Sequence, residues 1–232
     1  YRAYFDPDFF EILKKATFSV PDANGLYVAE MMQEGKWFFG ACLKVFFKKN
    51  SVYQKYGELI KGSDLTRDIL EWEKPKKILI IDRKNSQPKN DFERKKAEIQ
   101  KNLWEILTKK YPNNKIFVLF DGEQNPEQIA EIIQQENIDF VFSCIGMKVQ
   151  EQRLCEIFEY LPTDFPVVGL GVGASIDFLL GLQKRAPKFF QNLGLEWLYR
   201  LITQPKIRAK RIKTALIDFP RLVKQEIKNP SK

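Results

Sequence analysis

The stretch KIFVLFDGEQNPEQIAEIIQQENIDFVFSCIG, residues 115–146, decides the fold. Two short runs, KIFVLF (115–120) and DFVFSCI (139–145), are apolar on both faces. Between them PEQIAEIIQQEN (126–137) carries a helical pattern, with Pro126 in its first turn. Strands buried on both faces belong to parallel sheets, and parallel neighbours need a crossover, usually a helix. The same alternation continues outward. KILIID (77–82) and PVVGLGV (166–172) read as further strands. DFERKKAEIQKNLWEILTKKY (91–111), closed by Pro112, and QEQRLCEIFEYL (150–161) read as helices. The expectation is an α/β chain: a Rossmann-like, mostly parallel sheet flanked by helices. Ligands of such sheets bind beyond the carboxyl ends of the strands. The loops that start near Asp82, Asp121, Gly146 and Gly171 should therefore line the site.

The flanks are less regular. DPDFFEILKKA reads as a capped helix, and SVPDANGLYVAEMM as a strand end, a turn and a helix. KWFFGACLKVFFKKNSVYQKYGELI is aromatic and basic without a clean period. Past Pro187 the pattern is helical, and it becomes strongly basic from Arg200 onward. This divides the chain into an α/β domain (1–204) and a basic helical C-terminal appendage (205–232). No signal peptide is recognisable and no apolar run is long enough to span a bilayer. The chain opens on Tyr1 in a segment already under way, so native sequence is expected upstream.

Composition excludes several chemistries. A 44% hydrophobic, 29% charged chain is globular, not disordered. There is no histidine, which removes Ser-His-Asp and Cys-His catalysis and imidazole-bound zinc. Any general base is then a carboxylate, or failing that Lys, Tyr or Cys. Cys42, Cys144 and Cys155 have no C-x-x-C spacing and read as free thiols. The net charge of +8 gathers in the tail and suits nucleic acid, an anionic membrane or a phosphorylated ligand.

Gly169, Gly171 and Ala174 imitate the dinucleotide pattern G-x-G-x-x-G/A, but its context fails. No strand with a terminal acidic residue follows about 20 residues on. What remains is either a tight strand-to-helix turn or a place where backbone N–H groups approach a ligand. Asp6 before Pro7 reads as a helix N-cap better than as half of a D-x-D metal motif. Asp22 in PDANG reads either as a turn-stabilising carboxylate or as a base at a loop tip.

One longer stretch is far more specific. GVGASIDFLLGLQKRAPKFFQNLGLEWLYRL (171–201) closely resembles the WecG/TagA/CpsF family of bacterial glycosyltransferases. Gly171, Val172, Gly173, Asp177, Phe178, Gly181, Arg185, Ala186, Pro187, Gly194, Leu195, Glu196, Trp197, Tyr199, Arg200 and Pro205 fit the family pattern, and Ile176 replaces a Phe. Upstream the match weakens. IGMKVQEQ is similar to G-M-P-K-Q-E but has Lys148 and Val149 for Pro-Lys. KGSDL resembles T-G-x-D-L, with Leu59 where an Arg is usual. VPDANG resembles P-D-G-x-G, with Ala23 for the first Gly. A Gly-rich loop after 77–82 is replaced by DRKNSQPKN, and the family's first strand would precede residue 1.

The resemblance implies inverting transfer of an N-acetylmannosamine-type sugar from a UDP-sugar to a polyprenyl-diphosphate-linked acceptor, with no cofactor and no essential metal. It makes Asp22 the motif-matched base. Substrate binding then falls to Asn24, Gly25, Gly62, Asp64, Gly146, Met147, Gln150, Glu151, Gly171, Gly173, Asp177, Arg185 and Arg200. Lys206, Arg208, Lys210 and Arg211 are assigned to the lipid diphosphate. The implied setting is cytoplasmic and peripheral, on the inner face of the plasma membrane. The partners are an anionic membrane surface and the two substrates, not nucleic acid; a homo-oligomer stays open. The lost Gly loop and missing Arg also fit a degenerate homologue that binds nucleotide sugar or scaffolds a membrane complex without turnover.

Overall fold

The structure is a computed structural model. It describes residues 5–20, 24–84, 91–182, 186–187, 189–190, 196–203, 205 and 213–229. The chain divides into two compact units: one built from 19–61 and 185–232, the other from 2–18 and 62–184.

The second unit holds the sheet. Four parallel strands, β1 (Lys77–Asp82), β2 (Lys115–Phe120), β3 (Phe140–Ser143) and β4 (Val168–Gly171), lie in the order β2-β1-β3-β4. The stretch 115–146 forms the expected β-α-β unit, with α8 (Pro126–Glu136) carrying the chain from β2 over β1 to β3. Asn125 caps α8 through a reciprocal capping box with Gln128, and Asn137 ends it in the left-handed conformation. β1 is central, and Ile78, Leu79, Ile80 and Ile81 are all buried.

Two apolar layers cover the sheet. On one side Ile78, Ile80, Ile116 and Phe142 pack with Ile69 and Leu70 of α5 (Gly62–Leu70), Leu103 and Leu107 of α7 (Leu103–Lys110), and Ile176. On the other, Leu79, Ile81 and Val141 pack with Ile129 and Ile133 of α8 and with Leu154 and Ile157 of α9 (Val149–Phe158). The run 91–111, expected as one helix, breaks at Asn102 into α6 (Asp91–Lys101) and α7. The break separates two tasks. α7 presents Leu103 and Leu107 to the core, while α6 aims Lys96 and Gln100 at the end of β1. Asp6 does cap α1 (Pro7–Lys14), accepting from Phe9 N at 3.1 Å with Pro7 at the first helical position.

The first unit is helical. The aromatic segment without a period forms α3 (Phe38–Phe47) and α4 (Lys49–Tyr56), after α2 (Gly25–Gln33). Tyr27, Val28, Met31 and Met32 of α2 pack with Ala41, Val52 and Val223. Val223 belongs to α12 (Phe219–Lys228), which follows a π-helical turn at Thr214–Asp218. No strand forms at Ser19–Val20, where a strand end was expected. A further helix, α11, spans Glu196–Thr203. No helix among the described residues is long and apolar enough to cross a membrane.

Candidate functional site

The order β2-β1-β3-β4 places the reversal of strand order between β1 and β3. A crevice opens at such a switch point, beyond the carboxyl ends of both strands. Three loops meet this end of the sheet: Asp82–Lys84 after β1, Cys144–Lys148 after β3, and Val172–Ala174 after β4.

β1 ends on a buried charge cluster. Asp82 accepts from Arg83 N at 2.8 Å and from Gln100 Nε2 at 2.7 Å. Lys96 Nζ lies 3.4 Å from Asp82 Oδ1 and 2.9 Å from Asp177 Oδ1. Burial works against the Lys96 ammonium, but the two carboxylates together outweigh it and hold its pKa above the usual lysine value. Lys96 thus ties the end of β1 to the short helix α10 (Ser175–Leu179), where Asp177 sits in the first turn. Cys144 is buried against the same cluster. Burial first, then Asp82 and Asp177, pushes its thiol far above the ordinary range, so it is no nucleophile.

The β3 loop turns sharply. Gly146 has φ 102°, and Lys148, a non-glycine residue, has φ 75°. Glu151 holds the turn by accepting from Lys148 N at 2.6 Å. Lys148 Nζ reaches Asp6 at 2.6 Å, and that contact together with the Phe9 N–H keeps the Asp6 carboxyl below its usual range. A side-chain carbon at Gly146 would stand 3.9 Å from Arg83 Nη2, so the Arg83 guanidinium lies at the β1–β3 switch point. Met147 is exposed there, whereas the Ser143 hydroxyl at the end of β3 is buried and lacks a hydrogen-bond partner.

Gln150 is the hinge between β3 and β4. It is buried, accepts from Gly173 N at 3.0 Å, and donates to Glu151 Oε1 at 2.7 Å. The glycines of β4 make room for α9. A Cβ on Gly169 would come within 2.7 Å of Phe158, and one on Gly171 within 2.7 Å of Gln150 Nε2. The space beside Gly171 is therefore occupied by Gln150, and Gly173, at φ 56°, turns the chain toward α10. Gly62, at the start of α5, faces Ser175 Oγ, placing the KGSDL segment beside α10. Asp64 there is 3.2 Å from Arg67 Nη1.

The second unit thus brings together Gly146, Met147, Gln150, Glu151, Gly171, Gly173 and Asp177, with Gly62 and Asp64 on the adjoining α5. In the first unit, Asn24 precedes α2 and its side-chain oxygen is buried with no hydrogen-bond partner among the described residues; Gly25 opens the helix. Asp22, Arg185, Lys206, Arg208, Lys210 and Arg211 lie outside the described residues, as does the side chain of Arg200 on α11. Sequence reasoning missed Lys96, Gln100 and Arg83. Lys96 and Gln100 are spaced i, i+4 on one face, but α6 is so rich in charge that no apolar stripe marks which face turns inward.

An open, doubly wound parallel sheet with polar loops gathered at its switch point is the frame of a nucleotide- or sugar-binding enzyme. The chain belongs to the glycosyl transferase WecG/TagA/CpsF family, whose model matches residues 93–232, and is a glycosyltransferase. It is also similar to the N-acetylglucosaminyldiphosphoundecaprenol N-acetyl-beta-D-mannosaminyltransferase of Bacillus subtilis (strain 168). The two are 27% identical over 206 residues, which cover 88% of this chain and 68% of that protein.

Proposed function

We propose that this chain moves an N-acetylmannosamine-type sugar, or a related hexose, from a UDP-sugar to a polyprenyl-diphosphate-linked acceptor in cell-surface polysaccharide or teichoic acid synthesis. The similarity to the Bacillus subtilis mannosaminyltransferase, spread over 88% of the chain, carries this reading. The acceptor hydroxyl oxygen attacks the anomeric carbon from the face opposite the leaving group. Its proton passes to the Asp22 carboxylate. The bond from the anomeric carbon to the diphosphate oxygen breaks, UDP leaves with the electron pair, and the configuration inverts. The assignment of Asp22 rests on the P-D-x-x-G motif and on the absence of histidine. The Asn24 oxygen, two residues on in sequence and without a hydrogen-bond partner among the described residues, is an acceptor suited to a sugar hydroxyl.

Departure of UDP needs positive charge and N–H donors at the diphosphate. Arg185 and Arg200 are the motif-matched candidates, and no metal is invoked. The enzyme works from the cytosolic side of the membrane, with the basic appendage from Lys206 onward as one contact with lipid.

Asp22→Asn tests the mechanism. Transfer should fall to background while calorimetry still registers UDP-sugar binding; unchanged turnover removes Asp22 from the role. Turnover should also persist in EDTA, and its complete loss would overturn metal independence.

A further inference from the structure

Helix α3 is apolar except at Lys44. Phe38, Ala41, Cys42 and Val45 recur at i, i+3, i+4, i+7 and pack into the core of the first unit. Phe39, Leu43 and Phe46 recur at i, i+4, i+7 on a neighbouring side, with Trp37 and Phe47 next to them in sequence. These five residues are 39–73% exposed. Scattered exposed hydrophobes need no explanation, but a continuous aromatic stripe marks a surface that meets something apolar.

The rings of the stripe meet in pairs. The Trp37 and Phe39 rings lie 5.8 Å apart, and those of Phe46 and Phe47 lie 4.8 Å apart. Gly40 contributes by having no side chain: a Cβ there would stand 2.5 Å from Trp37 Nε1, so the indole lies across the helix.

Positive charge borders the stripe. Lys36, Lys44 and Lys48, with Leu43 and Phe47, line an open depression of about 470 Å³. No carboxylate lines it, and Glu34 nearby is taken by Lys55 at 2.6 Å. The Lys44 ammonium sits against that of Lys36, which lowers its pKa. Ammonium groups held together in this way form a seat for an anion. Lysine is depleted from protein–protein interfaces, whereas aromatic rings flanked by lysines characterise helices lying in the plane of a bilayer surface.

We propose that this face of α3 is an interfacial anchor: its aromatic stripe enters the boundary between headgroups and acyl chains of an anionic bilayer, and Lys36, Lys44 and Lys48 hold lipid phosphates. This surface goes beyond the proposed reaction and is separate in sequence from the basic appendage. It holds the enzyme in the layer where a lipid-diphosphate acceptor lies, whatever sugar is transferred.

The test uses the full chain with phosphatidylglycerol-containing and pure phosphatidylcholine vesicles. The wild type should cosediment with the anionic vesicles. Phe39→Ser with Leu43→Ser and Phe47→Ser should weaken that binding by at least about tenfold. Lys36→Gln with Lys44→Gln should weaken it by about 25-fold, or about fivefold per charge, with no effect on phosphatidylcholine. Both variants change exposed or half-exposed positions and should keep the wild-type melting temperature. Transfer to a short, water-soluble acceptor should be unchanged in both. A chain without transferase activity whose vesicle binding still depends on α3 would sink the reaction and leave the anchor standing. Wild-type cosedimentation by both variants would overturn the anchor. So would a serine variant that converts an oligomer to monomers in sedimentation velocity at unchanged vesicle affinity, because the stripe would then cover a second copy of the chain.

Discussion

Replacing Lys96 by Met removes the cation that contacts both Asp82 and Asp177 while roughly preserving volume. The side chains of Lys96, Asp82 and Asp177 are 14%, 3% and 9% exposed, so this is an interior cluster and not a surface pair. Breaking a buried ion pair by removing one partner costs about 3–5 kcal/mol, because the remaining charge is stranded. Here the lower end applies, since Asp82 keeps its bonds from Gln100 Nε2 and Arg83 N. About 3 kcal/mol in a chain of this size lowers the melting temperature by about 6–12 °C. Thermal melts and urea titrations at neutral pH measure it. The pH dependence has a definite sign. The Lys96 pKa is raised on folding, so its contribution is complete below the ordinary value of 10.5 and fades as pH climbs through the higher folded value. Wild type and Lys96→Met should therefore converge in stability only above about pH 10.5. A Lys96→Met protein that melts within about 2 °C of wild type would refute the reasoning, on the same size scaling.

Gly171→Ala should displace the Gln150 carboxamide, break its bond to Gly173 N, and cost about 1–3 kcal/mol in urea unfolding. Gly173→Ala meets nothing within 4 Å, so its penalty comes from φ 56° alone, about 1 kcal/mol, and comparing the two separates packing from backbone strain. At the opposite end of the sheet, Asn114 accepts from Lys76 N at 2.9 Å and donates to Leu70 O at 2.6 Å. Asn114→Ala should lose about 2 kcal/mol of stability with little change in KM for the donor, because it lies at the amino ends of the strands. A large change in KM would contradict the placement of the crevice.

The sheet was legible because its strands are apolar on both faces and its helices carry punctuation such as Asn125, Pro126 and Pro112. Hydrophobic periodicity speaks for buried faces, and those elements have clean ones. It fails at α3, where apolar residues outside the packed face hide the period of Phe38, Ala41, Cys42 and Val45. It also fails at α6, where the decisive inward residues are a lysine and a glutamine in a field of charge. Motifs singled out Gly146–Glu151 and Gly171–Asp177, two segments that the structure gathers at the carboxyl ends of β3 and β4, since a motif preserves residue identity at the loops. They gave Gly171 an ambiguous part, and the neighbouring helix resolves the geometry: the glycine leaves space that Gln150 fills. No local pattern encodes a contact between β4 and a side chain 21 positions earlier.

The left-handed turn at Lys148 has a consequence for the history of this loop. The family pattern carries Pro at the position of Lys148, and the proline ring fixes φ near −65°. A backbone at φ 75° cannot accept that ring without rebuilding the turn from Gly146 to Val149. Lys148→Pro alone should thus be harmful, although it moves the sequence toward its relatives. The route back to the common motif runs through the whole tetrapeptide at once. Ancestral reconstruction or loop grafting between family members should treat Gly146–Val149 as a single inherited unit.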